Sequence, residues 1–241
     1  MPKTIGLKDL TGEGVGAIPA PVRQEMIVEV ERKFTCSGDT LKTLEEIGVC
    51  VGQRQFLDQY FDTPEFELTL RDLWLRKRKE CWELKCPAEM VTGTEEPSGE
   101  QSLCTRYKEI TNLPEIYMKV KEVIKEGCKD GESGPSLDDD SWLRKLNLVC
   151  FAEYTTVRQS FTLGEEGLQI DLDQADFGYN VGEIEVLIPE GGDVQSAQEK
   201  IRNAAQKLGL TGDEQVEGKM HVYLKRYHPE HYAKLLSAHI L

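Results

Sequence analysis

Ionisable residues two positions apart, on segments that read as β-strands, are the first chemistry this chain offers. They occur as Glu29/Glu31/Lys33, Arg76/Arg78, Glu83/Lys85, Asp171/Asp173 and Glu183/Glu185. Side chains of a strand alternate between its faces with a period of two, so each set shares one face. In the first segment Val28, Val30 and Phe34 then lie opposite the charges. One such face alone is an ordinary solvated surface. Here the pattern returns on several strands with its signs segregated, whereas a solvated face interleaves them. Acidic pairs come from three distant parts of the chain, and an arginine pair from another.

If these faces line the inside of one closed sheet, like-charged pairs are costly to bury unless a counter-ion or ligand lies between them. Carboxylates in that number suit a hard divalent cation, Mg²⁺ or Mn²⁺, rather than zinc. The planar forks of Arg76 and Arg78 match phosphate oxygens in two-point contact, while Lys33 and Lys85 add point charges. The pattern therefore predicts a polyanion against the cations, bridged through metal to the acids.

The elements that must position these residues follow from hydrophobic period and punctuation. Strands are predicted over Gln24–Phe34, Arg54–Asp62, Leu73–Arg78, Cys81–Cys86, Leu103–Ile110, Val149–Phe161, Leu168–Asp173 and Gly178–Ile188, with a hairpin at Lys79-Glu80. Trp74 shares the face of Arg76 and Arg78, and Trp82 the apolar face of Leu84. Tyr154, Thr156, Arg158 and Ser160 share another. Helices are predicted after Ser37, where Leu41, Leu44 and Ile47 make one face before Gly48, from Pro114 to a close at Gly127, and from Asp193 to Gly209. From Lys219 the pattern fits strand and helix equally, and Pro229 opens a last helix through Ser237. About eight strands in one domain predict an α+β protein, a mostly antiparallel sheet closed on itself with helices outside. Residues 1–22, rich in Gly and Pro, read as a leader ahead of a single domain over 23–241, and 88–102 as a loop.

The chain has 241 residues, enough for one barrel with a real core, and a net charge of −14. That balance argues against a nucleic-acid or anionic-membrane surface, whose footprint is basic. No run approaches the roughly eighteen apolar residues of a spanning helix, and no signal layout opens the chain. Seven cysteines without a CxxC pair predict reduced thiols in a cytoplasmic protein, taken as a monomer.

Competing motifs are weak. The Gly-rich stretch at Gly12–Gly16 has no strand before it or helix after it. Asp171-x-Asp173-x-x-Asp176 begins like a calcium loop, but neither Gly182 nor Ile184 supplies the closing Glu. Asp176-Phe177-Gly178 lacks the other kinase motifs. The Asp138–Asp140 run reads as complementing a helix dipole. His228 and His231 read as surface residues of the last helix.

Glu29-Val30-Glu31-Arg32-Lys33-Phe34 carries the ExExK signature, and with it the chain resembles the CYTH superfamily, the triphosphate tunnel metalloenzymes. The likeness runs from Glu29 to about Tyr232. It tightens toward the members that act on thiamine triphosphate through Tyr60-Phe61-Asp62-Thr63-Pro64, Trp82-Glu83-Leu84-Lys85-Cys86-Pro87, Asp171–Tyr179 and Val181-Gly182-Glu183-Ile184-Glu185. The resemblance implies an eight-stranded antiparallel tunnel and Mg²⁺-dependent hydrolysis of thiamine triphosphate to the diphosphate and phosphate. By position it implies metal on Glu29, Glu31, Asp171, Glu183 and Glu185. Triphosphate would lie on Lys33, Arg76, Arg78, Lys85, Arg158 and Lys219, and the thiamine moiety on Trp74. Only one of Lys108 and Glu109 can face inward. The family pattern favours Glu109, the one catalytic candidate beyond the metal cluster. Asp173 shares the face of Asp171 and reads as its partner. Other readings within the fold are a general tripolyphosphatase, an adenylyl cyclase of the same superfamily, and a non-catalytic polyphosphate-binding module.

Overall fold

Hydrogen-bonded pairing joins the first strand to both the fifth and the last, and so leaves the sheet without an edge. In this computed structural model, which describes residues 27–88, 103–124, 140–164, 167–210, 212 and 214–241, eight strands form one closed barrel. They are β1 (Ile27–Phe34), β2 (Val49–Asp62), β3 (Trp74–Arg78), β4 (Cys81–Pro87), β5 (Thr105–Ile110), β6 (Val149–Thr162), β7 (Leu168–Ala175) and β8 (Tyr179–Pro189). Their order around the barrel is β1-β5-β4-β3-β2-β6-β7-β8, antiparallel at every pairing. The 1–22 leader, nearly all of the 88–102 loop, Gly127, Asp138 and Asp139 lie outside the described residues.

This barrel carries its apolar side outward. Val28, Val30, Phe34, Phe161, Ile170, Ile184 and Val186 pack beneath α1 (Gly38–Ile47) and α4 (Val194–Lys207), which contribute Leu44, Ala197, Ile201 and Ala204. On the other flank Leu75, Trp82, Leu84 and Cys86 lie beneath α2 (Leu113–Val123) and α3 (Ser141–Lys145), against Ile116, Val120 and Trp142. Trp82 meets Phe61 and Trp142 with ring centroids 5.0 Å away in each case, so it is a core tryptophan as its parity predicts. Helix starts follow their caps: the side chains of Ser37, Asn112 and Asp193 accept hydrogen bonds from the first turns of α1, α2 and α4.

Several boundaries differ from the sequence reading. β2 begins at Val49 rather than Arg54, because residues 49–55 are exposed and show no core pattern, yet pair with β6. The ambiguous tail is α5 (Lys219–Tyr227), followed by α6 (Pro229–Ser237). Val222 and Leu224 are buried, and Met220 and Tyr223 pack on Tyr60 and Tyr154. Lys79 and Glu80, both at positive φ (47° and 66°), form the tight β3–β4 turn. Asp140 caps α3 without a side-chain cap bond and instead pairs with Lys77 at 2.9 Å.

His231 is a correction: it is 2% exposed, not a surface residue. Its ring stacks on Phe66 at 3.7 Å, and its Nε2 lies 2.8 Å from the hydroxyl of Thr69. That hydroxyl donates to the buried carboxylate of Asp62, so the imidazole Nε2–H must be the donor to Thr69. Burial holds the imidazole down at about 4, hence neutral. This chain of bonds docks α6 on a single 3₁₀ turn (Thr69–Arg71) that leads into β3.

Gly182 of β8 lets the ring of Phe34 lie flat on its backbone, and a Cβ there would fall inside that ring. Gly182→Ala should therefore destabilise the protein by about 1–3 kcal/mol in urea unfolding. Adding Phe34→Leu should recover part of the loss, a coupling that independent sites would not show.

Candidate functional site

Every charged pair read from the sequence faces the inside of the barrel. β1 supplies Glu29, Glu31 and Lys33, β3 Arg76 and Arg78, β4 Glu83 and Lys85, β7 Asp171 and Asp173, and β8 Glu183 and Glu185. Strand register makes them neighbours. Lys33 is opposite Glu183, Glu183 opposite Asp171, Arg158 opposite Asp173, and Arg76 opposite Glu83. Of Lys108 and Glu109 on β5, Glu109 faces inward and reaches Arg76 at 3.2 Å. Lys108 points out to Glu190. Lys219 comes from α5 rather than a strand, and its ammonium contacts Asp173.

Each cation is held by acids. Arg158 is the hub: its guanidinium donates to Asp171 at 2.5 Å, to Asp173 at 2.6 and 2.7 Å and to Glu183 at 2.9 Å. Asp171 is further bonded by the hydroxyl of Ser160 at 2.6 Å. Lys33 contacts Glu31, Lys85 contacts Glu29, and Arg76 reaches Glu83 at 2.5 Å. Because the acids are drawn to these cations, no three carboxylates among the described residues stand as a ready chelate.

Acids outnumber cations inside. Lys33, Arg76, Arg78, Lys85, Arg158 and Lys219 face Glu29, Glu31, Asp58, Glu83, Glu109, Asp171, Asp173, Glu183 and Glu185. Burial works to raise the Glu31 carboxyl, but Lys33 and Lys85 overcome it and hold it well below the usual carboxylate range. Lys33 and Lys85 keep their protons more tightly than free lysine, against their own burial, because Glu31 and Glu29 face them. Among the described residues, no lysine or arginine forms an ion pair with Glu185. Burial, then the charges of Glu29 and Asp171, push it up to about 9, and it shares a hydrogen bond with Glu29. Glu109 is also pushed up, by burial and by Glu83 beside it. Burial and the nearby Arg158 drive the Lys219 ammonium well down. The raised Glu185 carboxyl, hydrogen-bonded to Glu29, marks a place where positive charge is missing. The donor set is all oxygen, which fits a hard divalent cation.

Sequence parity missed four site residues. Asp58 of β2 is fully buried and binds Arg78 through both oxygens, at 2.5 and 2.7 Å. Phe56, two residues earlier on the same face, carries the Arg78 guanidinium 4.0 Å above its ring, with Arg158 at 5.6 Å. Neither belongs to a set of ionisable residues two positions apart, the signal that marked the other strands. Asp72 and Tyr107 lie beside Trp74, whose indole N–H donates to Asp72 at 2.8 Å. Trp74 is half-buried on the face of Arg76, as its parity predicts.

A family model for the CYTH domain matches residues 28–218. The chain belongs to the CYTH-domain family. It is 37% identical over 221 residues to the thiamine-triphosphatase of Homo sapiens, covering 88% of this chain and 90% of the relative. Identity and coverage are the same for the thiamine-triphosphatase of Macaca fascicularis. Among solved structures, the PH1819 protein from Pyrococcus horikoshii OT3 superposes with a TM-score of 0.50 at 15% identity, over 82% of this chain and 99% of its own. That likeness concerns the fold alone. The CYTH match starts one residue before Glu29 and ends one before Lys219, and so spans the barrel that carries the charges.

The charge surplus makes a prediction for the metal-free protein. The folded chain keeps the Glu185 proton up to about pH 9, whereas the unfolded chain releases it near the ordinary value of 4.5. Unfolding between those values releases a proton, so stability should fall as pH rises through that window. Glu185→Gln, with EDTA present, should flatten the slope in urea unfolding and cost little at pH 7. Arg158→Met should instead lose about 3–5 kcal/mol, since it leaves several buried carboxylates unpaired.

Proposed function

We propose that this protein hydrolyses thiamine triphosphate to thiamine diphosphate and inorganic phosphate, using Mg²⁺, with Mn²⁺ as a substitute. The observation that carries the reading is the two-signed tunnel: a wall of cations for a chain of phosphates, facing a surplus of buried acid. The thiamine-triphosphatases to which the chain is similar support the substrate. Glu29, Glu31, Asp171, Glu183 and Glu185 would hold the metal, and the raised Glu185 carboxyl marks where its charge is needed. When bound, the metal supplies Lewis acidity to phosphate oxygens and lowers the pKa of a bound water.

The residues of the chain do the rest by position and charge. Arg76 and Arg78 bind non-bridging oxygens in two-point fashion, and Lys33, Lys85, Arg158 and Lys219 neutralise the remaining charge. Water attacks the terminal phosphorus, the bond from that phosphorus to the bridging oxygen breaks, and the diphosphate leaves with the bridging oxygen. Little covalent work falls to the protein in such a transfer, so preorganised electrostatics set the rate. Glu109, inward and pushed up by its burial, is the candidate to handle a proton. Trp74 would stack on the thiamine rings.

We read the protein, further, as a monomer of the reducing cytoplasm that acts on a small molecule. No disulfide joins the described cysteines, and among the described residues no helix is long and apolar enough to cross a membrane.

Phosphate release from thiamine triphosphate, tripolyphosphate and ATP, with and without Mg²⁺, tests the reading directly. Thiamine triphosphate should be preferred, and EDTA should abolish turnover. Glu31→Gln should leave less than about a tenth of the activity; a variant above that level would remove Glu31 from the metal set. Trp74→Ala should raise KM for thiamine triphosphate far more than for tripolyphosphate. An equal rise on both substrates would favour a general tripolyphosphatase.

A further inference from the structure

Most acids of the tunnel interior are met by a lysine or an arginine, but the groups bonded to Asp72 are two aromatic donors. The indole N–H of Trp74 donates to its Oδ1 at 2.8 Å, and the hydroxyl of Tyr107 lies 3.1 and 3.3 Å from its two oxygens. Tyr107 keeps its proton for this bond, pushed well above the ordinary phenol value by burial and by Asp72. The backbone is built around the arrangement. Asp72 ends the 3₁₀ turn in the left-handed region, φ 59° and ψ 31°, which side chains seldom adopt and which Asp tolerates better than most. That turn is itself fixed from outside by Asp62, whose carboxylate receives the backbone N–H groups of Thr63, Leu68 and Thr69.

The trio stands where the phosphate wall ends. Trp74 is opposite Lys85 and Tyr107 opposite Glu29 in the strand registers. A triphosphate lying on Arg76 and Lys85 would bring the group it carries to these rings. A carboxylate there repels further phosphate and attracts a cation. Aromatic faces add to that attraction, since a ring face is electron-rich. We propose that Asp72 is a specificity-determining residue, selecting a triphosphate whose organic head is a flat cationic ring, by its own charge and by orienting Trp74 and Tyr107. The inference rests on the triphosphatase reading above and narrows its substrate class. Neutral heads such as adenosine, and bare tripolyphosphate, gain nothing from Asp72.

Asp72→Asn separates charge from shape, because Asn accepts left-handed backbone and keeps an acceptor for the indole. Its kcat/KM for thiamine triphosphate should fall about tenfold, chiefly through KM, while that for tripolyphosphate stays within about twofold or rises. Asp72→Gly, which keeps the backbone conformation and removes the side chain, should shift the same ratio at least as far. Tyr107→Phe should shift it less, in the same direction. Equal losses on both substrates would show that Asp72 only supports the fold, and would overturn the inference. So would an unchanged preference in Asp72→Asn. A wild-type protein that cleaves tripolyphosphate and ignores thiamine triphosphate would overturn the substrate reading itself. Thiamine activity that Asp72→Asn leaves intact would overturn this inference alone.

Discussion

The pairing of Arg158 with Asp171, Asp173 and Glu183 is the interaction on which the rest of the barrel depends. Three carboxylates from β7 and β8 would repel one another across neighbouring strands, in an interior where charges are poorly screened. One planar guanidinium, on the strand beside them, satisfies all three at 2.5–2.9 Å. Arginine suits the place because its donors are fixed in a fork and it stays charged when buried. Closing the sheet makes the arrangement compulsory. With no edge to turn toward water, charged faces must find partners inside, and the apolar faces must be covered from outside. The two hydrophobic clusters accordingly lie between barrel and helices, and stability and chemistry occupy opposite faces of the same strands.

That division has a consequence for binding. The cations of the tunnel are already paired with its own acids, so a polyanion can take Arg76 and Arg78 only by replacing Glu83, Glu109 and Asp58 as their partners. The displaced carboxylates then lack positive charge, as Glu185 already does. On the proposed reading, phosphate on one wall and a cation on the other would therefore be favourable together and unfavourable singly. A tunnel of this kind discriminates against either alone, which suits a substrate that arrives with its metal.

Strand parity made much of this legible before any coordinates. A period of two leaves no freedom: once Glu29 faces inward, Glu31 and Lys33 must follow, and the same holds for Arg76, Arg78 and Trp74. The resemblance added the substrate and the choice of Glu109 over Lys108. What stayed hidden has physical reasons. Asp58 is a lone acid between Phe56 and Tyr60, so no charged pair announces it. The first part of β2 has no buried face and owes its extension to pairing with β6, a non-local cause. Lys219 lies on a helix whose apolar spacing also satisfies a strand, and only packing on Tyr60 and Tyr154 decides between them. His231 is polar by type and buried by context, held by a threonine 162 residues away in sequence.

The same distance shows how far the site extends beyond its charges. The tunnel end that carries Trp74 is shaped by a turn, and the turn is held by the Asp62 carboxylate and the His231 imidazole. Asp62 gathers three backbone N–H groups and the hydroxyl of Thr69, so the 3₁₀ turn has a single way to lie. His231 of α6 fixes that hydroxyl from the other side. Asp72 is thereby delivered in a left-handed conformation that would otherwise be unfavourable, with its carboxylate between two rings. The cations carried by the strands follow from parity, and on the proposed reading such a wall would take many polyanions. Selection among them, by the inference above, depends on the geometry of one turn, held by Asp62 at the end of β2 and by His231 of α6. The two parts of the function thus rest on different physics, electrostatics within the barrel and hydrogen-bonded packing outside it.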